Sequence, residues 1–202
     1  MDDFADPPVA QAPEKKLLLA AIQQIEAHGM ARVTVRGIAA AAGMNLAAVN
    51  YYFRSKNALM QAALATSLEH MRADTERYLH EFATDPQAAL KALLLYYFEG
   101  SVRYPRVTKA HLHDAFTQDD YRGQFPRVLE PIIVALRDRL AEAVPGLSRV
   151  DAAHRVATAL SAVFFPALFR PLYGALAVLE TERQRQAYFT QVAAQALAPP
   201  SD

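Results

Sequence analysis

Residues 34–56 read TVRGIAAAAGMNLAAVNYYFRSK. Two helix-forming stretches, each of about two turns, flank the tripeptide Gly43-Met44-Asn45. Helices this short do not survive alone in water, because nucleation costs more than a few backbone hydrogen bonds return. Both must therefore be packed against something, and the short glycine-containing turn makes the unit a helix-turn-helix. Thr34 and Asn45 read as N-caps and Gly43 as a helix stop. Ile38, Ala39 and Ala42 face inward, and Val49 and Phe53, at i and i+4, anchor the second helix together with Met44. That leaves Leu46, Ala47, Ala48, Asn50, Tyr51 and Tyr52 on the other faces.

The rest of the chain reads as helix throughout, so an all-α fold is expected, with no strand signal and no internal repeat. Leu17, Leu18, Ala21, Ile22 and Ile25 form one apolar stripe over 14–28, ended by Gly29. Helices are expected at 35–42, at 46–52, and at 56–83 after Ser55; another runs from Asp85-Pro86 to Tyr104. Segments 106–117 and 121–143 follow, the second interrupted by Pro126 and Pro131. Ser148-x-x-Asp151 opens an apolar stretch to 178 that Pro166 and Pro171 should kink, and Thr181-x-x-Gln184 opens a last helix to 197. The helix from Pro86 is apolar nearly all round between Leu90 and Phe98, which predicts a central position. Glu99 and Arg103, at i and i+4 there, fit either a surface pair or polar groups in a pocket.

Charge is partitioned. The whole chain is neutral, with 21 basic and 21 acidic residues. Within 14–60, Lys15, Lys16, Arg32, Arg36, Arg54 and Lys56 oppose only Glu14 and Glu26. A small basic module thus joins a neutral body, which is the distribution expected of a protein that meets a polyanion with one part only. The absence of cysteine excludes disulfides and thiolate chemistry and agrees with a cytoplasmic setting. Met1-Asp2-Asp3 opens no signal peptide, and no apolar run of ~20 residues spans a membrane. His111 and His113, if on one helix, point about 200° apart, so no metal site and no cofactor are expected.

Taken together, Gly29, Thr34, Ile38-Ala39, Ala42-Gly43, Tyr51-Tyr52-Phe53 and Ser55-Lys56 resemble the DNA-binding domain of the TetR family of bacterial regulators. The resemblance covers about residues 14–62. It implies a flexible arm at 1–13, a DNA-binding domain at 14–60 and a ligand-binding and dimerisation domain at 61–202. It further implies that Thr34 and Arg36 meet phosphate at the start of one helix, with Asn45 opening the next. Leu46, Ala47 and Ala48 would enter the major groove, Tyr51 and Tyr52 reach phosphate or sugar, and Lys56 bind phosphate. Asn50 departs from the tyrosine common at its position; it can pair with adenine or bind phosphate.

One recognition helix buries little surface, so a homodimer on a palindromic double-stranded operator is implied. Its interface candidates are Val156, Leu160, Val163, Phe164, Tyr188 and Val192. A small-molecule effector would sit among Tyr96, Tyr97, Phe98, His111, His113, Phe116, Phe125, Phe165 and Phe169. The chain carries no G-x-S-x-G, no phosphate-cradling glycine loop and no H-E-x-x-H, so no enzyme is expected. A repressor released by its effector is the leading expectation; a DNA-binding member without a ligand, or an activator, are the alternatives.

Overall fold

The computed structural model describes residues 12–200, so the expected arm lies almost wholly outside the described residues. Eleven α-helices and one 3-10 turn make up the described chain. They sort into two compact units: residues up to His70 with Arg106–Asp120, and Met71–Pro105 with the residues from Tyr121 on.

In the first unit, α1 (Pro13–His28) buries Leu17, Ala20, Ala21, Ile22 and Ile25. Against it lies α2 (Val35–Ala41), and α3 (Leu46–Tyr52) packs on α2. Gly37 permits the close approach of α2. A Cβ there would stand 3.1 Å from both Gln24 Oε1 and Thr34 Oγ1. The turn between the two short helices has a local cause. The Gly43 N–H donates to Ala40 O at 3.1 Å and the Met44 N–H to Ala39 O at 2.9 Å. With Gly43 at φ +66°, this is a Schellman stop, which a residue bearing a Cβ adopts only at a cost. Asn45 then takes an extended conformation and caps the next helix. Helix α4 (Lys56–Glu81) begins after Ser55, whose Oγ accepts the Ala58 N–H at 3.1 Å.

The first unit also takes in α6 (Pro105–His111) and α7 (His113–Gln118). The single helix expected at 106–117 is broken at Leu112, whose N–H closes a tighter i→i+3 bond onto Lys109 O at 3.2 Å. His111 and His113 therefore stand on different helices. No group of three or more His, Cys, Asp or Glu residues suited to a metal ion occurs among the described residues.

The second unit is built around α5 (Pro86–Arg103), as its all-round apolar sequence predicts. It buries Leu90, Leu93, Leu94, Leu95, Tyr97 and Phe98 against α8 (Gln124–Ala143), α9 (Arg149–Leu168) and α11 (Glu182–Ala196). Both proline expectations need correction. Pro126 lies in the first turn of α8, where N–H groups have no intrahelical partner anyway. Pro131 sits inside the helix on an exposed face, and the helix continues through it. The stretch expected to reach 178 ends at Leu168; a short α10 (Arg170–Gly174) and turns follow. Thr181 and Gln184 form the reciprocal capping box that opens α11. No helix among the described residues is long and apolar enough to cross a membrane.

Candidate nucleic-acid interface

The anchors of the helix-turn-helix are inside and the rest is out. Val49 and Phe53 are buried, as are Ile38 and Ala39 beneath them in sequence. Leu46, Ala47, Asn50, Tyr51 and Tyr52 are exposed, and Ala48 is half-buried. Tyr51 is 83% exposed, more than any other large apolar or aromatic side chain among the described residues, and nothing in its own unit requires that cost. Its ring meets Tyr52 edge-on with centroids 5.0 Å apart, so the two phenols present one rigid ridge.

The polar residues of the surface divide into two kinds. Thr34 Oγ1 accepts the Gly37 N–H at 3.0 Å, and Asn45 Oδ1 accepts the Ala48 N–H at 2.8 Å. Both side chains thus set the ends of the helices, although the Thr34 hydroxyl proton and the Asn45 amide stay available to an outside partner. The cations are different. Arg32, Arg36, Arg54 and Lys56 are exposed, and none forms an ion pair among the described residues. Each keeps its full charge for solution, which suits a polyanionic partner.

The expected effector residues are divided between the two units. Tyr97 and Phe98 are core. The Tyr97 hydroxyl meets Thr75 Oγ1 at 2.7 Å, and burial pushes its pKa up to about 12. Tyr96 donates to Asp74 Oδ2 at 2.8 Å, and Phe125 stands edge-on to Phe164 at 6.4 Å. Phe165 and Phe169 pair at 4.8 Å and are exposed. His111, His113 and Phe116 belong to the other unit, where Phe116 and His113 are exposed. The apolar recess of the second unit is lined instead by Phe82, Leu90, Leu94, Leu136, Leu140 and residues of α9 and α11, with Arg155 as its one charged member. The Glu99 carboxylate of α5 lies 3.6 Å from Arg185 Nε of α11.

The interface candidates differ in burial. Val156, Leu160 and Val163 are buried in the protomer's own core, and Phe164, Tyr188 and Val192 pack half-buried against it. The residues that remain exposed on α9 include Val150, Ala153, Ala157, Ser161 and Phe165, and on α11 they include Ala187, Thr190 and Ala194.

A helix-turn-helix with a packed inner face, an exposed aromatic ridge and unpaired cations defines a DNA-binding regulatory protein. The sequence profile of bacterial regulatory proteins of the tetR family matches residues 17–63. The HTH-type transcriptional regulator BetI of Agrobacterium fabrum is 31% identical over 150 residues, covering 74% of this chain and 71% of the relative. BetI of Stenotrophomonas maltophilia is 34% identical over 80 residues, covering 40% of this chain and 41% of that one. A TetR transcription regulator from Haloarcula marismortui, 20% identical, shares the fold at a TM-score of 0.67 over 92% of this chain and 96% of its own. The chain belongs to the TetR family of transcriptional regulators, and the matched relatives are regulators rather than enzymes.

Proposed function

We propose that the protein is a homodimeric repressor that binds a palindromic operator and is released by a small molecule. In this reading residues 14–60 are the reading domain and the chain from 61 on serves dimerisation and sensing. Arg36, Thr34 and Lys56 hold phosphates; Leu46, Ala47 and Ala48 face base edges in the major groove; Tyr51 and Tyr52 brace the backbone. Asn45 sets the start of the recognition helix, and Asn50 beside the tyrosines reads a base. The observation that carries the proposal is the exposure of Tyr51 on a helix whose other face is fully packed. Dimerisation is assigned to the exposed small and aromatic residues of α9 and α11, among them Ala157, Ser161, Phe165 and Ala187, because the more apolar stripe is already spent on the core.

The test is binding of the purified protein to duplexes carrying the DNA upstream of its own gene, across a salt series. Log K should fall linearly with log salt, by about 0.9 for each phosphate neutralised. Failure to retard any duplex at low salt would overturn the proposal. A second reading, a regulator whose body takes no small molecule, is favoured by one observation: none of the nine aromatic and histidine candidates lines the apolar recess. A thermal-shift screen that finds no stabilising compound, with operator binding intact, would select it.

A further inference from the structure

The first turn of α3 carries no hydrogen-bonding side chain beyond its cap. Leu46 and Ala47 are exposed, Ala48 is half-buried, and Val49 behind them is packed inside. Asn45, the polar residue at that end, commits its Oδ1 to the Ala48 N–H at 2.8 Å. Leu46 is 39% exposed, so its own unit covers most of the residue and presents the remainder outward at a fixed place. Asn50 stands at i+4 from Leu46, one turn further along the same side, and is exposed as well. The outer face of α3 therefore has an apolar leading edge followed by polar and aromatic groups.

Set against base edges in the major groove, such a leading edge can favour one kind of group. Guanine, adenine and cytosine present hydrogen-bond donors and acceptors there, and thymine alone adds an apolar group, the methyl on C5. An aliphatic side chain pressed on a donor or acceptor takes it out of water and returns no hydrogen bond, which costs free energy. Pressed on the methyl, it buries apolar surface on both partners. We propose that Leu46, with Ala47 beside it, is the specificity-determining contact for a C5-methylated pyrimidine at one position of each half-site. This rests on the DNA-reading proposal above and adds to it the chemistry of the group that is read. Thymine carries that methyl, and cytosine methylated at C5 places the same group at the same edge of the groove. Operator affinity then depends on a single methyl and, where the position holds cytosine, on whether that cytosine is modified.

The experiment uses full-length protein and a duplex selected from a random pool by the wild type, with affinity read by fluorescence anisotropy. Each thymine of the half-sites is replaced in turn by deoxyuridine, which keeps the base pairing and every hydrogen-bonding group and removes only the methyl. One position per half-site should lose about fourfold, the factor for burying one methyl at ~0.8 kcal/mol. A second arm places cytosine or 5-methylcytosine, each paired with guanine, at that position; methylation should raise affinity there by about fourfold. Leu46→Ala should bring both ratios to within about 1.5-fold of unity, whereas Leu46→Met, still apolar and of similar size, should keep them. Both variants should melt near the wild type, since alanine and methionine favour a helix as leucine does. Uracil substitutions that all leave affinity unchanged, or ratios that survive in Leu46→Ala, overturn the proposal. A uracil effect with no gain from cytosine methylation leaves the methyl contact standing, with thymine as its source. Wild-type protein that retards no duplex at low salt removes the DNA-reading proposal itself, a result distinct from a flat uracil series.

Discussion

His111 and Ser67, 44 residues apart in sequence, meet through Nε2 and Oγ at 2.8 Å and tie the end of α6 to α4. Ser67 Oγ donates to Leu64 O at 3.0 Å, so the neutral His111 ring donates from Nε2 to complete the pair. Burial lowers the His111 pKa from 6.5 to about 4. The unfolded chain therefore binds a proton near pH 6.5 that the folded chain refuses until about pH 4. Stability is full above pH 6.5, falls as the pH drops through that window, and levels off below pH 4. The loss at pH 5 should be about 2 kcal/mol relative to pH 7. Urea unfolding at several pH values checks this, and His111→Gln should remove most of the slope.

Arg36 and Lys56, exposed and in no ion pair among the described residues, give a prediction about salt. Lys56→Ala and Arg36→Ala should each weaken binding to all duplexes and lower the salt slope by about 0.9. Melting temperatures should hardly move, because neither side chain has a partner to lose among the described residues. An unchanged slope would remove that residue from the phosphate contacts.

Asn50 is exposed on α3 and takes no part in capping it. Asn50→Ala should relax preference at one base pair by about 1–3 kcal/mol, with other positions unaffected. Selection from a random pool by wild type and variant reads this directly. A uniform weakening across sequences would instead make Asn50 a backbone contact.

Thr75 and Tyr97 form a polar pair inside the second unit. Thr75 Oγ1 donates to Met71 O at 2.7 Å, which leaves its lone pairs for the Tyr97 hydroxyl, also at 2.7 Å. Thr75→Val strands a buried phenol donor and should cost about 1–3 kcal/mol. Tyr97→Phe should cost less, about 0.5–1.5 kcal/mol, and the double variant should lie near the cheaper single one. Additive losses in urea unfolding would show that the two hydroxyls do not act as a pair.

Ala157 and Val163, on different faces of α9, separate assembly from folding. Ala157 is exposed and Val163 fully buried. Ala157→Glu should shift the protein to monomer in sedimentation velocity with little change in protomer stability, since it desolvates a charge only in the dimer. Val163→Ala should cost about 2 kcal/mol of stability through lost burial and the cavity left behind. A dimer unaffected by Ala157→Glu would place the interface elsewhere.

What the sequence by itself determined lies within a few residues of its cause. The Schellman stop at Gly43, the Asn45 and Thr34 caps, the Thr181–Gln184 capping box and the inward pair Val49 and Phe53 all follow from hydrogen bonds and spacings of three to five positions. The helix-turn-helix was legible for that reason, and so was the family. Tertiary structure decided the rest. On α9 nearly every residue is apolar or small, so periodicity does not say which stripe turns inward; packing against α5 chose Val156, Leu160 and Val163. The break at Leu112 has no glycine or proline to announce it. Glu26 and Arg106 meet across 80 positions, and neither residue type at its own helix end predicts the other. Contacts at that separation are set by where whole helices come to rest, which depends on the summed burial of many side chains and not on any local pattern.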